Sequence, residues 1–382
     1  MFSILSRANF SRVKSVIKEA ISNTNIKPII ILGGGAICED YGGIENECIS
    51  EGINIDEKTS ILMHEKSMQN MVRTTALGML DFSRIIEKYN PDVALTVADR
   101  YETISFAISC SYMKIPLIHL QGGEPTGSID DKVRNAIAQL ADYHFVCTND
   151  AYLKTIKWGE MENRVFNVGC PSLDHLDASK DELLIKQKIL EINKKYNTSI
   201  DPSKKYCVLL FHPDTKKSDQ EFNIVLESTL RFINNKDEQL IVLNPNPDYG
   251  SEEILKILKN LHNQISLKKQ SSCFLINNLN SEEYISLIKG CEILIGNSSS
   301  GIRESSFLGI KSLNIGERQS FRYKCSNVTD VSCSKEEIIS KLALVHNQSI
   351  PKRKYEYGDG TSSIKIIKLI EKLSFDIKPT KI

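Results

Sequence analysis

No run of apolar residues in this chain approaches the ~20 that a helix needs to cross a bilayer. Residues Met1 to Phe10 hold no apolar stretch long enough for a signal peptide. Neither charge is in excess, since 48 Lys and Arg face 48 Asp and Glu. Such a balance offers no field for a nucleic acid or an anionic membrane surface, so neither is expected as a partner. A few local donors still suffice to hold a small anion. No CxxC pair occurs among the ten cysteines, which stand singly, several of them (Cys147, Cys207, Cys291) inside apolar runs. That pattern excludes a zinc site of ordinary spacing and a disulfide framework, and it reads as reduced structural thiols in a soluble, cytoplasmic protein. Two nucleotide fingerprints are also missing. Gly33-Gly34-Gly35 does not fit G-x-G-x-x-G, no acidic residue follows at the expected place after a second strand, and there is no Walker A lysine. NAD and P-loop readings are excluded on those grounds. No solenoid repeat or low-complexity tract is present, and no feature requires a metal or redox cofactor.

What is present is a repeating texture of short β-rich apolar runs, polar loops and longer stretches of helical period. The runs predict strands at Ile29–Leu32, Val93–Val97, Ile115–Leu120, His144–Cys147, Val165–Val168, Cys207–Phe211, Leu240–Leu243, Ile293–Ile295 and Ser312–Ile315. Helices are predicted at Met68–Tyr89, Lys132–Leu140, Lys180–Tyr196, Glu221–Asn234, Glu252–Asn263, Ile302–Leu308 and Ser362–Leu373. Alternation of this kind makes parallel sheets covered by helices on both faces. At 382 residues the chain is too long for one ordinary core. The charged, strandless stretch Asp174–Lys205 reads as the connection between two α/β domains of Rossmann-like type. The expected division is 1–178, completed by the C-terminal segment 361–382, and 179–360.

In open parallel sheets ligands gather beyond the carboxyl ends of the strands. The residues there are rich in chemistry: Asp99, Arg100 and Glu102; Gln121, Gly122, Gly123 and Glu124; His212-Pro213-Asp214; Asn244 to Asp248; and Gly296 to Gly301. Five polar strand ends across both halves predict a cleft between the domains. The stretch Asn297-Ser298-Ser299-Ser300-Gly301 before a helix offers hydroxyls and free backbone N–H groups to a phosphate. A lone serine there would be only an N-cap. Glu304 falls on the first helical turn, where it suits ribose hydroxyls or simply complements the dipole. Arg318 follows a strand and fits base, phosphate or a surface ion pair. Asp99, Glu102, Glu124, Asp130 and Asp131 form an acidic group able to shift one another's pKa values, although Asp130-Asp131 also fits a helix start. His212, between a strand and a proline, is a candidate for the cleft rather than for the core.

These motifs resemble the hydrolysing nucleotide-sugar 2-epimerases, a family typified by UDP-N-acetylglucosamine 2-epimerase of sialic-acid biosynthesis. The resemblance runs through Ser6-Arg7-Ala8-Asn9-Phe10, Ala98-Asp99-Arg100-Tyr101-Glu102-Thr103, Gly122 to Asp131, Val168 to Ser172, His212-Pro213, Pro245-Asn246, Gly296 to Glu304, Ile315 to Gln319 and Tyr357 to Gly360. It implies a GT-B-like pair of Rossmann-like domains, with the nucleotide held mainly by the second. It implies substrate contacts from Arg7, Arg100, His212, Asn246, Ser298, Ser299, Ser300, Gly301, Glu304 and Arg318, and catalytic carboxylates at Asp99 and Asp130. It also implies a homodimer or homotetramer. The implied reaction is elimination across C1 and C2, followed by addition of water. UDP-N-acetylglucosamine would yield free N-acetylmannosamine and UDP; UDP-diacetamido-trideoxy or GDP-linked sugars are the alternative substrates. The chain departs from the family at Gln121, where better-known members carry glutamate, and at Asn135, where relatives usually have histidine. Either Glu124 takes the role of base, or Gln121 positions the substrate and the two aspartates suffice. Two other classes compete: a GT-B glycosyltransferase using the same donor, and a non-catalytic sensor of nucleotide sugars.

Overall fold

The computed structural model describes residues 1–38, 43–63, 67–97, 100–125, 130–174, 176, 181–213, 218–245, 251–266, 272–277 and 279–378. The chain folds into two compact units, Met1–His175 with Glu356–Ile382, and Leu176–Tyr355.

The first unit carries β1 (Phe2–Ile4), β2 (Ile30–Gly33), β3 (Glu57–Thr59), β4 (Ala94–Val97), β5 (Leu117–Leu120), β6 (Tyr143–Val146) and β7 (Val165–Asn167). These pair in parallel in the order β3-β2-β1-β4-β5-β6-β7. The intervening helices are α1 (Arg7–Ser22), α2 (Glu45–Ser50), α3 (Met68–Tyr89), α4 (Thr103–Tyr112), α5 (Asp130–Leu140) and α6 (Asn149–Lys157). Local chemistry sets their ends. Ser6 Oγ accepts from Asn9 N at 3.1 Å and starts α1. Phe10, Val13, Val16, Ile17 and Ala20 then recur at helical spacing, and all are buried. Likewise Ser67 Oγ caps α3 by accepting from Asn70 N at 3.1 Å, and Asn90 ends it in the left-handed conformation.

The second unit begins with α7 (Glu182–Tyr196), capped by Asp181. It continues with β8 (Tyr206–Leu210), α8 (Ser218–Asn234), β9 (Gln239–Leu243), α9 (Ser251–Ser266), β10 (Cys273–Ile276) and α10 (Ser281–Gly290). Then come β11 (Ile293–Gly296), α11 (Glu304–Leu308), β12 (Lys311–Ile315), β13 (Val328–Val331) and α12 (Lys335–Asn347). Its strands are also parallel, in the order β10-β9-β8-β11-β12-β13. Both units are therefore Rossmann-like α/β folds.

The final helix, α13 (Ser362–Lys372), belongs to the first unit. Asp174 caps it, accepting from Ser362 N at 2.9 Å and Ser363 N at 2.6 Å. Ile366 and Ile367 enter the same core as Val13, Val16 and Ile17 of α1, a contribution of about 1.5–3 kcal/mol for each isoleucine. Beyond it, Asp376 accepts from Tyr143 Oη at 2.6 Å and pairs with Arg164, and Lys378 pairs with Glu160 at 2.9 Å.

Four strands lie where none was predicted. β3, β10 and β13 are sheet edges, and β1 is a three-residue central strand. One helix needs correction. Ile302 does not open a helix, because residues Ser299–Gly301 form a 3₁₀ turn and α11 starts only at Glu304. Eight of the ten cysteines are buried. No helix among the described residues is long and apolar enough to cross a membrane.

One glycine controls how the second sheet opens. Gly296 ends β11 at φ +134°, and a Cβ there would lie 1.9 Å from the carbonyl oxygen of Leu210 on β8. Gly296→Ala must push two central strands apart. We expect a loss on the order of 3 kcal/mol and a fall of roughly 10 °C in the melting temperature of the second unit, followed by circular dichroism. An unchanged melting curve would contradict this packing.

Candidate active site

In each sheet the chain works outward one way and then reverses. The reversal falls between β1 and β4 in the first unit and between β8 and β11 in the second. At such a point neighbouring loops leave in opposite directions and open a crevice at the carboxyl edge of the sheet.

At the β1/β4 edge, β1 leads to the Ser6 cap and to Arg7, which is exposed. β4 leads to Asp99, which lies outside the described residues, and then to Arg100. The Arg100 Nε donates to Glu102 Oε1 at 2.8 Å, and Glu102 is fully buried. On the adjacent strand end, Gln121 sits in the left-handed region at φ +66°, its N–H bonded to Phe145 O at 2.9 Å. Its side chain is buried, with Nε2 donating to Cys170 Sγ at 3.2 Å. A carboxamide so placed is no base; it secures the turn. The two glycines that follow are required by space, because a Cβ on Gly122 would meet His119 Nδ1 at 2.9 Å and one on Gly123 would meet Ala151 O at 2.7 Å. Glu124 is buried, and its carbonyl accepts from Arg134 Nη1. Arg134 also pairs with Asp131 at 2.6 Å. Of the two aspartates at the start of α5, Asp131 is thus tied within the helix. Asp130 opens α5, and its side chain lies outside the described residues.

At the β8/β11 edge the organising residue is Asn297, which sequence reasoning passed over in favour of the serines beside it. Asn297 Oδ1 accepts from His212 N at 2.7 Å, and Asn297 Nδ2 donates to His212 O at 2.8 Å. Its own carbonyl accepts from Arg318 Nη1 at 3.1 Å and Gln319 Nε2 at 3.0 Å. One asparagine therefore fixes the ends of β8, β11 and β12 together. The signal available in the sequence was its place directly after a strand.

The serine loop also needs correction. Four of its N–H groups are used within the turn: Ser300 N donates to Ser298 Oγ, Gly301 N to Ser298 O, and Ile302 N and Arg303 N to Ser299 O. The loop also presents hydroxyls. Ser298 and Ser299 are half-buried, while Ser300 is buried with its Oγ accepting from Tyr284 Oη at 2.7 Å. Gly301 closes the turn, and its missing Cβ leaves room for Ser312 Oγ. Glu304, half-buried, opens α11. Arg318 is half-buried over the same edge. Asn246 lies outside the described residues.

Burial, with the positive Arg318 as a second cause, pushes His212 down to about 3. At neutral pH it is an uncharged imidazole, able to accept or donate one hydrogen bond but not to serve as a cationic acid. Because the folded value lies below that of a free imidazole (about 6.5), protonation favours the unfolded chain. Stability is lost as pH falls from about 6.5 toward 3. The His212 ring resonances should accordingly show no titration between pH 5 and 8 by NMR. A midpoint near 6.5 would contradict the burial.

A family model described as UDP-N-acetylglucosamine 2-epimerase matches residues 18–371. A UDP-N,N'-diacetylbacillosamine 2-epimerase (hydrolyzing) from Legionella pneumophila is 30% identical over 369 residues, 96% of this chain and 93% of that protein. A GDP/UDP-N,N'-diacetylbacillosamine 2-epimerase (hydrolyzing) from Campylobacter jejuni is 32% identical over 329 residues, 85% of this chain and 82% of that protein. Among solved structures, the UDP-GlcNAc 2-epimerase of Neisseria meningitidis bound to UDP-GlcNAc superposes with a TM-score of 0.81 at 16% identity. That likeness covers 97% of this chain and 98% of the other, and it places the fold in the GT-B-like class.

Proposed function

Because the chain belongs to the UDP-N-acetylglucosamine 2-epimerase family, we propose that it is a hydrolysing 2-epimerase of UDP-linked acetamido sugars, with UDP-N,N'-diacetylbacillosamine as substrate. The observation that carries this choice is that two of the relatives at 30% identity or more bear that activity in their names, while a third, from Escherichia coli, is named for polysialic acid biosynthesis. UDP-N-acetylglucosamine, the substrate first expected from the motifs, is the second reading, favoured by the whole-chain likeness to the meningococcal enzyme.

In this reading Asp99 and Asp130 are the acid/base pair. One removes the proton at C2 while the C1–O bond to the diphosphate breaks and its electron pair leaves with UDP. The C1=C2 bond so formed takes up water, with the hydroxyl going to C1 and a proton to C2 from the opposite face. The sum is nucleotide sugar plus water giving UDP and a free sugar inverted at C2. Groups on both faces of the ring are what such an inversion needs. Ser298, Ser299, Ser300 and Arg318 would hold the departing diphosphate, where preorganised donors lower the barrier most. Arg7, Arg100, Asn246 and Glu304 would complete the ligand contacts, with His212 as a neutral hydrogen-bonding group. Gln121 and Glu124 would shape the turn beside the sugar. A homo-oligomer is part of the proposal, supported by Met68, Val72 and Leu80, exposed at four- and eight-residue spacing on one face of α3.

Proton NMR in deuterated water, with each UDP sugar in a separate tube, tests the reading. The expected outcome is UDP release with deuterium at C2 of the free epimer, and kcat/KM at least about tenfold higher for the diacetylated sugar, the value of one well-placed polar contact. The reverse preference would select UDP-N-acetylglucosamine, and release from neither by folded protein would overturn the proposal. Asp99→Asn should lower kcat by about 10²- to 10⁴-fold; undiminished turnover would favour a glycosyltransferase.

A further inference from the structure

The run Gly33-Gly34-Gly35 fits no dinucleotide fingerprint, and the structure gives its middle residue another task. Gly34 follows β2 at φ +56°. A Cβ on it would lie 2.9 Å from Leu5 O and 3.6 Å from Glu102 Cγ. Glycine here lets the end of β2 close over the turn after β1 and over the stem of Glu102. That stem is held from the other side as well, since Glu102 is the cap residue of α4 and its carbonyl accepts from Ser105 Oγ at 2.6 Å.

The result is a carboxylate with no exposure to water. Its Oε1 accepts from Arg100 Nε at 2.8 Å, whereas its Oε2 is buried with no hydrogen-bond donor. Burying a charge in this state is costly, and such a pair adds little stability of its own. Arg100, by contrast, is 38% exposed at the β1/β4 switch point. One end of the pair is locked and the other faces outward. The side chain of Arg100 also lies near the Tyr101 ring, 5.9 Å from its centroid, which further limits its rotation.

The geometry points to Glu102 as a positioning residue. By gripping Nε it fixes the plane and direction of the Arg100 guanidinium, so that Arg100 meets the nucleotide sugar already aligned. A guanidinium gripped at Nε loses less rotamer freedom on binding, so Glu102 acts on ligand affinity through Arg100 and not on the chemical step. The inference rests on the nucleotide-sugar reading above, in which Arg100 contacts the ligand.

A double-mutant cycle tests it, using whichever UDP sugar the wild-type protein hydrolyses. Glu102→Gln replaces a charge-assisted bond by a neutral one, and KM should rise about tenfold while kcat stays within about threefold. In an Arg100→Gln background the same change should cost no more than about twofold, because nothing remains to be positioned. Arg100→Lys serves as a second background, keeping the charge without the Nε–H, for the case that Arg100→Gln leaves Glu102 too poorly paired to fold. Circular dichroism confirms the fold of each variant. Equal losses from Glu102→Gln in all backgrounds would mark a merely structural residue and overturn the inference, as would an unchanged KM in the wild-type background. Wild-type protein that hydrolyses neither UDP sugar would instead overturn the reading on which the inference stands, and the inference with it.

Discussion

The second unit depends on a single pair of reciprocal hydrogen bonds, between the side chain of Asn297 and the main chain of His212. β8 and β11 run in parallel up to the point where their loops must part. There the last main-chain N–H and C=O of one strand lose their partner, deep inside the protein. Buried backbone groups cannot be left unpaired without a cost of about 1–3 kcal/mol each. A carboxamide carries one donor and one acceptor in the geometry of a peptide, so Asn297 ends the ladder as though one more strand residue were present. Its own carbonyl then gathers Arg318 and Gln319 from beyond β12. The direction of the serine loop, the place of the arginine and the neutrality of the buried imidazole all follow from that junction.

The first unit solves the same problem with charge. Its crevice is bounded by a serine cap on α1, by the Arg100–Glu102 pair, and by a turn in which Gln121 adopts a left-handed backbone while its side chain reaches Cys170. The two glycines after Gln121 leave no room for any other residue. The C-terminal segment joins the same unit, because α13 and the residues behind it pack onto α1 and β6 through Ile366, Ile367 and Asp376. The serine loop and the Arg100–Glu102 pair thus reside in separate units, each at its own switch point.

Much of this was legible in the amino-acid order. The long apolar runs that become β4, β5, β8, β9 and β11 are buried on both faces, so continuous hydrophobicity betrayed them. The helix from Met68 to Tyr89 was readable to the residue, because a serine cap and an asparagine terminator bracket it. The edge strands β3, β10 and β13 were not. Glu57-Lys58-Thr59 is polar because its outer side meets water, and Phe2-Ser3-Ile4 is too short to show any period although it lies inside its sheet. The polar residues after the strands stood out as chemistry, yet their division of labour did not. Asn297 and His212 are 85 residues apart, and only the strand order makes them neighbours. Several of the free amides expected in the serine loop were likewise taken up by a 3₁₀ turn, a choice of local hydrogen bonding that residue types alone do not dictate.

In the proposed reading, Asn297 builds the nucleotide seat without taking part in the chemistry. Calorimetric titration of UDP into the Asn297→Ala protein tests it most directly. Loss of two main-chain bonds and of the anchor for the serine loop should weaken UDP binding by about 100-fold, at roughly 1–1.5 kcal/mol for each bond, while the first unit keeps its melting transition. UDP affinity equal to that of the wild-type protein would contradict the account.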